Sequence, residues 1–333
     1  MNNVESKTFW HCVPSSNFPT IVDIGFYIFE TTGMFLNAFV LAGLSKVHPI
    51  PRTSLMLLRS ITVCCLLTAF VNFLEHVYPY SWRSHNYHFD RLICIFWKSR
   101  FFYWIFFALG THYLVFFSLD RLAVIEEVKS YKSMLEEQRI LAFHTTAVVS
   151  GILFTTPQVL TVNLQGDTCD CAPTQVNIPF LSVIYAHVYV WFTLMFVFVS
   201  SLLAFVSWKL VKAIRKPSGH DRIDNLSLLT LESQACVKGT HSAPPLGWRS
   251  ASMCILPLAL SYFLTLVYDS TYQFLSALNL TTFIINSIQQ QIGALLLVVN
   301  TSLIPSIFIS YIPALRSFLV GVLHRLHLHR QKR

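Results

Sequence analysis

Long apolar runs separated by short polar segments dominate this chain of 333 residues. A membrane-spanning helix needs about 20 predominantly apolar residues, because the hydrocarbon core is about 30 Å thick and a helix rises about 1.5 Å per residue. Runs of that length lie at residues 21–44, 55–77, 95–125, 140–162, 180–211, 253–275 and 283–310. Since lipid offers no partner to unpaired backbone groups, the pattern predicts an all-α fold, a bundle of seven transmembrane helices.

The segments around these runs have their own patterns. Residues 1–20 are of mixed polarity, and residues 212–248 combine Ser, Gly, Pro and charge without periodicity, which is typical of a flexible loop. From Pro313 onward, apolar residues recur every three or four positions, which predicts an amphipathic helix in the membrane surface. The predicted organisation is a tail, a seven-transmembrane domain (21–310), and an amphipathic helix with a basic tail (311–333).

The composition favours a membrane protein. Hydrophobic residues make up 54% of the chain and charged residues 12%, which leaves too little polar surface to cover a water-soluble globule. The formal net charge of +8 would suit nucleic-acid binding only if Lys and Arg gathered on one soluble face. They lie instead in short segments between apolar runs, so we expect membrane lipid, and not nucleic acid, as a partner.

The distribution of Lys and Arg predicts the orientation of the chain, because an excess of positive charge marks the cytoplasmic side. With the N-terminus outside, five of the 24 Lys and Arg residues fall in outer segments and the remaining 19 on the inner side. Seven spans also require the two termini on opposite sides. The pattern therefore predicts a multi-pass protein whose N-terminus lies outside.

Asp120 and Arg121 are adjacent at the inner end of the third run. Taken alone, they could be ordinary interfacial charges, because a long Arg side chain reaches the headgroup region at little cost. The surrounding sequence resembles the rhodopsin-like (class A) G-protein-coupled receptors, whose third helix ends in Asp-Arg-Tyr, with an apolar and then an aromatic residue beyond. Asp120, Arg121, Val124 and Tyr131 occupy the corresponding places, with Leu122 where the family has Tyr.

This resemblance implies a role in signalling. In the family, the Arg is held by the neighbouring Asp at rest and engages a heterotrimeric G protein when the helices separate. A guanidinium that faces a water-accessible crevice can exchange one acceptor for another, and so provides a two-state element. We therefore expect Arg121 and its neighbours to contact a heterotrimeric G protein.

The seventh run carries a second match. A Pro inside a span kinks the helix and by itself indicates nothing beyond packing. The family has Asn-Ser and then Asn-Pro-x-x-Tyr in its seventh helix, and the corresponding residues here are Asn300, Thr301, Ile304, Pro305 and Phe308. The resemblance implies an activation switch here, although Ile304 and Phe308 lack two hydrogen-bonding groups of the family pattern.

Weaker matches extend the resemblance to other runs. Asn37 with Val40 fits the Asn-x-x-Val of the family's first helix, although a lone intramembrane Asn can also serve a helix contact. Phe263 stands for the aromatic residue of the sixth helix, where the family's Cys-Trp-x-Pro is missing. Cys65 replaces the family's sodium-binding Asp, so no sodium site is expected. The resemblance thus implies a divergent member, with Asn37 and Phe263 in the switch.

The resemblance also implies a disulfide, because the family joins the top of its third helix to the second outer loop. The bridge would run from Cys94 to either Cys169 or Cys171, and the other loop cysteine could pair with Cys12. Cys94 lies further from the Asp-Arg pair than in typical members, so an irregular turn is expected there. Asn279 begins an outward-facing Asn-x-Thr and is the expected glycosylation site.

Polar residues in the outer halves of the runs are candidates for a ligand pocket, because an intramembrane carboxylate is costly unless it faces a cavity or a partner. The polar residues there are Glu30, Glu75, Tyr103, Asp269 and Gln290, and the last four are the candidates for the pocket. The alternative is that the carboxylates pair locally with Ser, Tyr or Arg. Tyr103 stands where amine receptors carry Asp, which implies a peptide or a non-aminergic small molecule, and the carboxylates suit a basic group on it.

A polytopic transporter or channel is the competing class. It would carry charges along a path through the membrane, whereas most charges here lie at the ends of the runs. The histidines are scattered singly and do not have the spacing of a metal or catalytic site. We therefore expect a plasma-membrane receptor that is not an enzyme and needs no metal or cofactor.

Overall fold

The structure, a computed structural model, describes residues 10–12, 21–46, 52–77, 84, 86–126, 128–165, 168–171, 178–214, 252–285 and 287–331. Most of the predicted N-terminal tail and of the predicted 212–248 loop lies outside these residues. The described helices are α1 (Ile21–Ser45), α2 (Arg52–Val77), α3 (Tyr87–Ile93), α4 (Phe101–Ile125), α5 (Lys129–Ser133), α6 (Glu136–Thr155), α7 (Ile178–Val190), α8 (Val199–Ile214), α9 (Ile255–Ala277), α10 (Ile288–Tyr311) and α11 (Pro313–Gln331). The short strands are β1 (Trp10–Cys12), β2 (Val162–Gln165), β3 (Thr168–Cys171) and β4 (Phe283–Ile285).

The described residues include six helical segments that are long and apolar enough to cross a membrane, as a multi-pass membrane protein requires: Ile21–Ser45, Arg52–Val77, Phe101–Ile125, Glu136–Leu160, Ser182–Ala213 and Ile288–Tyr311. They correspond to six of the seven predicted runs. The sixth run is helix α9, which is 23 residues long. It is not among the six segments, and its buried face carries Asp269 and several hydroxyl side chains.

The third predicted run is not one continuous helix. A π-helical turn, Cys94–Lys98, follows α3, and the chain then turns at Arg100, whose φ of 58° is left-handed. Such a conformation is uncommon for a residue other than Gly. Helix α4 begins only at Phe101, so the expected irregular turn near Cys94 is present.

Other boundaries also differ from the hydrophobic pattern. The fourth helix begins at Glu136 and ends in a 3₁₀ turn, Thr156–Leu160, which contains Pro157. A π-helical segment, Trp191–Phe198, joins α7 to α8 within the fifth run. The seventh run was predicted to be helical from residue 283, but Phe283–Ile285 is a strand that pairs in parallel with β1. The apolar sequence of residues 283–285 fits the start of a helix, but their backbone pairs with strand β1.

Helices α1 and α10 pack closely through small and polar residues. A Cβ added at Gly33 would lie 2.9 Å from the Ser302 Oγ atom, so the absence of a side chain lets the helices approach. Asn37 Nδ2 donates to the Gly33 carbonyl at 2.8 Å and to the Thr301 carbonyl at 3.0 Å. Ser302 Oγ donates to the Phe29 carbonyl at 2.6 Å. Small side chains and interhelical hydrogen bonds are the usual means of helix association in lipid.

A hairpin covers one end of the bundle. Strands β2 and β3 pair antiparallel, and Cys169 in β3 forms a disulfide with Cys94, with Cα atoms 5.6 Å apart. This end is called the disulfide end, and the opposite end of α4 is called the Asp120 end. The resemblance leaves open whether Cys94 pairs with Cys169 or with Cys171, and in the structure it pairs with Cys169. The Cys171 side chain lies outside the described part.

The predicted helix after the seventh run is present as α11, which begins at Pro313 directly after Ile312. Leu315, in its first turn, is fully buried. Phe318 packs against Phe39 of α1 with ring centroids 5.2 Å apart, and the Lys46 ammonium lies 5.1 Å from the Phe318 ring centroid. Helix α11 therefore packs against the Asp120 end of α1.

Candidate functional site

The Asp120 carboxylate is the centre of a buried cluster at the Asp120 end. Arg121 donates to its Oδ2 atom from Nε at 3.1 Å and from Nη2 at 2.5 Å, and Ser54 Oγ donates to the same oxygen at 2.6 Å. The Tyr131 hydroxyl donates to Oδ1. Asp120 and Arg121 are only 1% and 2% exposed. These four residues, Ser54, Asp120, Arg121 and Tyr131, are called the Asp120 cluster.

Tyr131 ties the short helix α5 to α4. Burial and the negative charge of Asp120 raise the pKa of the Tyr131 hydroxyl above its ordinary value, so the hydroxyl remains protonated and donates its hydrogen to the carboxylate. The Arg139 guanidinium lies 4.5 Å from the centroid of the Tyr131 ring. Tyr131 therefore fixes this loop in two ways, through its hydroxyl to Asp120 and through its ring to Arg139.

The start of α2 is held by two acidic side chains from other helices. Ser54 donates to Asp120, while the backbone N–H and the hydroxyl of Thr53 donate to Glu136 Oε1 at 2.8 and 3.2 Å. The first N–H groups of a helix lack partners within the helix, and Glu136 supplies one. Sequence reasoning missed Thr53, Ser54 and Glu136, although a Thr-Ser pair at the start of an apolar run is a recognisable helix-start signal.

Arg121 has Asp120 as its paired carboxylate within the described residues. Its guanidinium lies 5.9 Å from the Phe117 ring centroid. It also interacts electrostatically with Cys254, directly before α9. Val124, one turn further along α4, is half-buried. Removing Asp120 would leave a buried guanidinium without compensation, which makes this pair sensitive to change.

A small cavity lies midway along the bundle, between α2, α4, α9 and α10. It has a volume of about 20 Å³, which is enough for about one ordered water. Polar side chains on its wall include Thr111, Tyr262, Asn300 and Thr301. Asn300 Oδ1 accepts a hydrogen bond from Ser261 at 2.7 Å. This bond joins α9 to α10 one turn away from Pro305.

Ile304 and Phe308 of α10, which stand where the resemblance would lead one to expect polar residues, are buried. Ile304 is 6% exposed and Phe308 is fully buried, and both belong to the hydrophobic core. Pro305 is buried inside α10. Asn37 contacts the same helix through Thr301. Asn37 thus contacts the residue next to Asn300, whereas the Asn300 side chain is bonded to Ser261 of α9.

Phe263 lies apart from this group. It is 43% exposed on the outer face of α9 and stacks against Phe196 with centroids 5.7 Å apart. The aromatic residue of α9 that lines the cavity is its neighbour Tyr262, which is 1% exposed and donates its hydroxyl hydrogen to the Met195 carbonyl. Phe263, which the resemblance places in the switch, therefore faces outward, and Tyr262 has the interior position, because the rotation of α9 turns only one of two adjacent aromatic residues inward.

At the disulfide end, Glu75 pairs with Arg100. Arg100 Nε donates to Glu75 Oε2 at 2.8 Å. Arg100 also donates to the side-chain oxygen of Asn72, whose Nδ2 donates in turn to Glu30 Oε1. His76 Nδ1 lies 2.8 Å from the same Glu30 oxygen. Glu30, Asn72, Glu75, His76 and Arg100 are called the Glu30–Arg100 network.

The other predicted pocket residues lie at different depths. Tyr103 is fully buried beneath the Arg100 guanidinium, which is 4.5 Å from its ring centroid. Asp269 is 3% exposed and accepts from Gln273 Nε2 at 2.8 Å. Gln290 lies in the first turn of α10, where its N–H donates to Ser287 Oγ at 3.3 Å. Asp269 interacts electrostatically with Arg100 and Tyr103, so Tyr103 and Asp269 lie near the network.

Asn279 lies in an exposed turn directly after α9, at the disulfide end. Its φ of 58° is left-handed, a conformation that Asn adopts more readily than most residues. The position is accessible to modification. Within the described residues, no group of three or more His, Cys, Asp or Glu side chains is arranged to hold a metal ion.

The search of known proteins found neither a family model nor a curated protein that matches this chain. The functional assignment consequently depends on the motifs of the sequence and on the geometry of the Asp120 cluster.

Proposed function

We propose that the chain is a divergent rhodopsin-like G-protein-coupled receptor. In this proposal it lies in the plasma membrane with seven spans and the N-terminus outside. It transmits the binding of an extracellular ligand, a peptide or a non-aminergic small molecule, to a heterotrimeric G protein on the cytoplasmic side.

The observation that carries the proposal is the Asp120 cluster. A buried guanidinium paired with one carboxylate is costly to hold in a low-dielectric interior, and Arg121 is so held at the very end of a helix. Its side chain needs only a new acceptor to leave Asp120. Cys254, at the Asp120 end of α9, interacts electrostatically with Arg121. Movement of this end of α9 would make room for a new acceptor beside Arg121. A G protein can provide backbone carbonyl acceptors there.

The pattern on the surface of α9 supports a seventh span. Its exposed face is apolar: Leu256, Leu260, Phe263 and Leu264. Its buried face carries the polar residues Ser261, Thr265, Asp269 and Ser270 among apolar residues of the core. A helix of 23 residues is about 35 Å long, which exceeds the hydrocarbon thickness of about 30 Å. An apolar outer surface suits contact with lipid, and buried polar side chains suit a ligand or a switch inside the bundle.

The disulfide end suits an extracellular face, because disulfides persist in oxidising compartments. The bond between Cys94 and Cys169 fixes the β2–β3 hairpin over this end. Beneath it lie Tyr103, Asp269 and the Glu30–Arg100 network. A ligand that enters from this side would meet buried acidic groups, which favours a basic group on the ligand.

The substitution Asp120→Asn tests this proposal. It keeps the volume of the side chain and weakens the restraint on Arg121, so ligand-independent G-protein signalling should rise in cells that express equal surface amounts of the variant and the wild type. Glu126→Gln is a matched control, because Glu126 lies on the same end in an exposed pair with Lys209, 2.9 Å apart. A transporter or channel has no reason to respond in this way. Equal basal signalling for Asp120→Asn and the wild type would count against the proposal.

A further inference from the structure

Helix α3 presents large apolar side chains to the outside of the fold at the disulfide end. None of its seven residues is buried. Leu92 is 55% exposed and Phe89 is 45% exposed. Because these two residues are three positions apart, they lie on the same side of the helix. An isolated helix of this length is unstable in water, so a further surface against its apolar side would stabilise it.

The opposite side of α3 is polar and has partners within the chain. The Asn86 side chain caps the helix by accepting from the N–H groups of His88 and Phe89, at 3.1 and 3.4 Å. Asp90 Oδ1 accepts from the Ser84 hydroxyl at 2.8 Å. These bonds hold the helix in a defined orientation. Helix α3 is thus amphipathic, with an ordered polar side and an exposed apolar side.

The apolar side of α3 continues toward the membrane span α4. Phe96, in the π-helical turn after α3, packs its ring against Phe101 and Phe102, with centroids 5.3 and 6.1 Å apart. Phe102 is 40% exposed on the first turn of α4, a segment long and apolar enough to cross a membrane. The lipid-facing surface of α4 therefore extends through Phe96 toward α3. This surface, called the α3 patch, consists of Phe89, Leu92, Phe96 and Phe102.

The residues beside the α3 patch are of the types that concentrate at a membrane surface. Arg91 and Lys98 are exposed, and such long basic side chains keep their stems on apolar surface while their charge reaches the lipid phosphates. Trp97, in the same π-helical turn, is half-buried. Tryptophan is enriched at the level of the headgroups, because its ring is apolar and its N–H is polar. Apolar side chains with cations beside them match the acyl chains and phosphates of one lipid leaflet.

We propose that the α3 patch inserts into the lipid leaflet at the disulfide end, with Arg91 and Lys98 at the level of the phosphates. Helix α3 then acts as an interfacial anchor. Cys94 directly follows α3 and is bonded to Cys169 of the β2–β3 hairpin, and β2 packs against α3. The anchor therefore fixes the hairpin at the membrane surface. This inference needs a chain that spans a membrane and does not depend on coupling to a G protein.

The first test measures the depth of single side chains in the full-length protein. A nitroxide is attached to p-acetylphenylalanine at one position, which leaves the native cysteines intact, and the protein is placed at one copy per nanodisc of phosphatidylcholine and phosphatidylglycerol. Power-saturation EPR compares collisions with oxygen, which partitions into lipid, and with a nickel complex, which stays in water. Leu153, 69% exposed on the α6 span, is the lipid reference. Tyr87, 54% exposed at the start of α3 and away from Leu92, is the water reference.

The probe at Leu92 should behave like the probe at Leu153 and collide more with oxygen than with the nickel complex. Equal access of the nickel complex to Leu92 and Tyr87 would show that the apolar side of α3 faces water, and would overturn the proposal. Protection of Leu92 from both reagents would show that another part of the same chain covers the patch, because each nanodisc holds one copy. That result overturns the proposal as well.

Backbone amide exchange of residues 87–93 provides an independent measurement. Leu92→Glu puts a carboxylate among the acyl chains, so these amides should exchange roughly tenfold faster or more in nanodiscs than in the wild type. Tyr87→Glu is the matched control and should stay close to the wild type. Mass spectrometry of the bond between Cys94 and Cys169 verifies that both variants are folded. Equal exchange in the two disulfide-bonded variants would overturn the proposal.

Discussion

Tyr131 donates a hydrogen bond to Asp120 across a separation of 11 residues. This bond joins the loop helix α5 to the end of α4, on the same carboxylate that holds Arg121. The restraint on Arg121 is thus shared between its neighbour in sequence and two residues from other elements, Ser54 and Tyr131. Each of these contacts can be removed separately.

The substitution Tyr131→Phe should loosen this restraint. It removes only the hydroxyl and keeps the ring beside Arg139. A hydrogen bond to a charged group contributes about 1.5–3 kcal/mol, so the variant should unfold at a lower temperature and show higher basal nucleotide exchange. Tyr87→Phe, on the exposed surface of α3, is the control. If Tyr131→Phe behaves like the wild type in both assays, the Tyr131 hydroxyl does not restrain Arg121.

Gly33→Ala should separate α1 from α10. The added Cβ would lie 2.9 Å from Ser302 Oγ, and that hydroxyl is already fixed by its bond to the Phe29 carbonyl. We expect a loss of about 1–3 kcal/mol from overpacking, visible as a lower unfolding temperature. Gly321→Ala is a matched control, because nothing lies within 4 Å of its added Cβ. Equal unfolding temperatures for the two variants would contradict the packing argument.

Cys94→Ser should abolish the disulfide to Cys169. Loss of a native disulfide typically costs about 2–5 kcal/mol, so surface expression and the unfolding temperature should both fall. Peptide mass spectrometry without reduction reports the bond directly. Cys64→Ala removes a buried thiol of α2 that forms no disulfide and serves as the control. Detection of Cys94 as a free thiol in the wild-type protein would refute the prediction.

Seven spans predict that the termini lie on opposite faces of the membrane. Epitope tags at Met1 and Arg333 of the full chain should therefore differ in intact cells, with only the Met1 tag reached by antibody. Permeabilised cells, in which both tags are reached, provide the control. If the two tags behave alike in intact cells, the span count is even and α9 does not cross.

The hydrophobic pattern identifies helices well, because a transmembrane segment has to be long and apolar. It identifies interruptions poorly. Arg100 adopts a left-handed conformation without Gly or Asn to announce it, and the position of Cys94 gave only an indirect sign of a turn. The residues 283–285 look like the start of a helix, yet they pair with β1. Such pairing depends on a distant segment, which local sequence does not reveal.

In the candidate site, too, contacts between neighbours in sequence can be predicted, whereas contacts between distant segments cannot. Asp120 and Arg121 are adjacent in the chain, so their pairing can be anticipated. Ser54 reaches the same carboxylate from 66 residues away, which no local pattern indicates. For Tyr262 and Phe263, composition cannot decide which of two adjacent aromatic residues faces the interior, because that depends on the rotation of α9 against its neighbours.

Glu75 shows that the sequence does not identify the partner of a buried charge. Its position marked it as a candidate for binding a basic group, with local pairing as the alternative. The structure pairs it with Arg100 at 2.8 Å. Two groups that are 25 residues apart, one near the end of α2 and one just before α4, meet only once the helices pack. Their charges therefore show that a partner is needed without showing which one it is.

The central claim is that Arg121 couples this chain to a heterotrimeric G protein. The most direct measurement is guanine-nucleotide exchange on purified heterotrimers of each Gα class, with the full-length protein in lipid nanodiscs. The wild type should accelerate exchange on at least one class, Asp120→Asn should accelerate it further, and Arg121→Ala should abolish it while its unfolding remains cooperative. Acceleration that survives in folded Arg121→Ala, or no acceleration of any heterotrimer by either wild type or Asp120→Asn, would contradict the account.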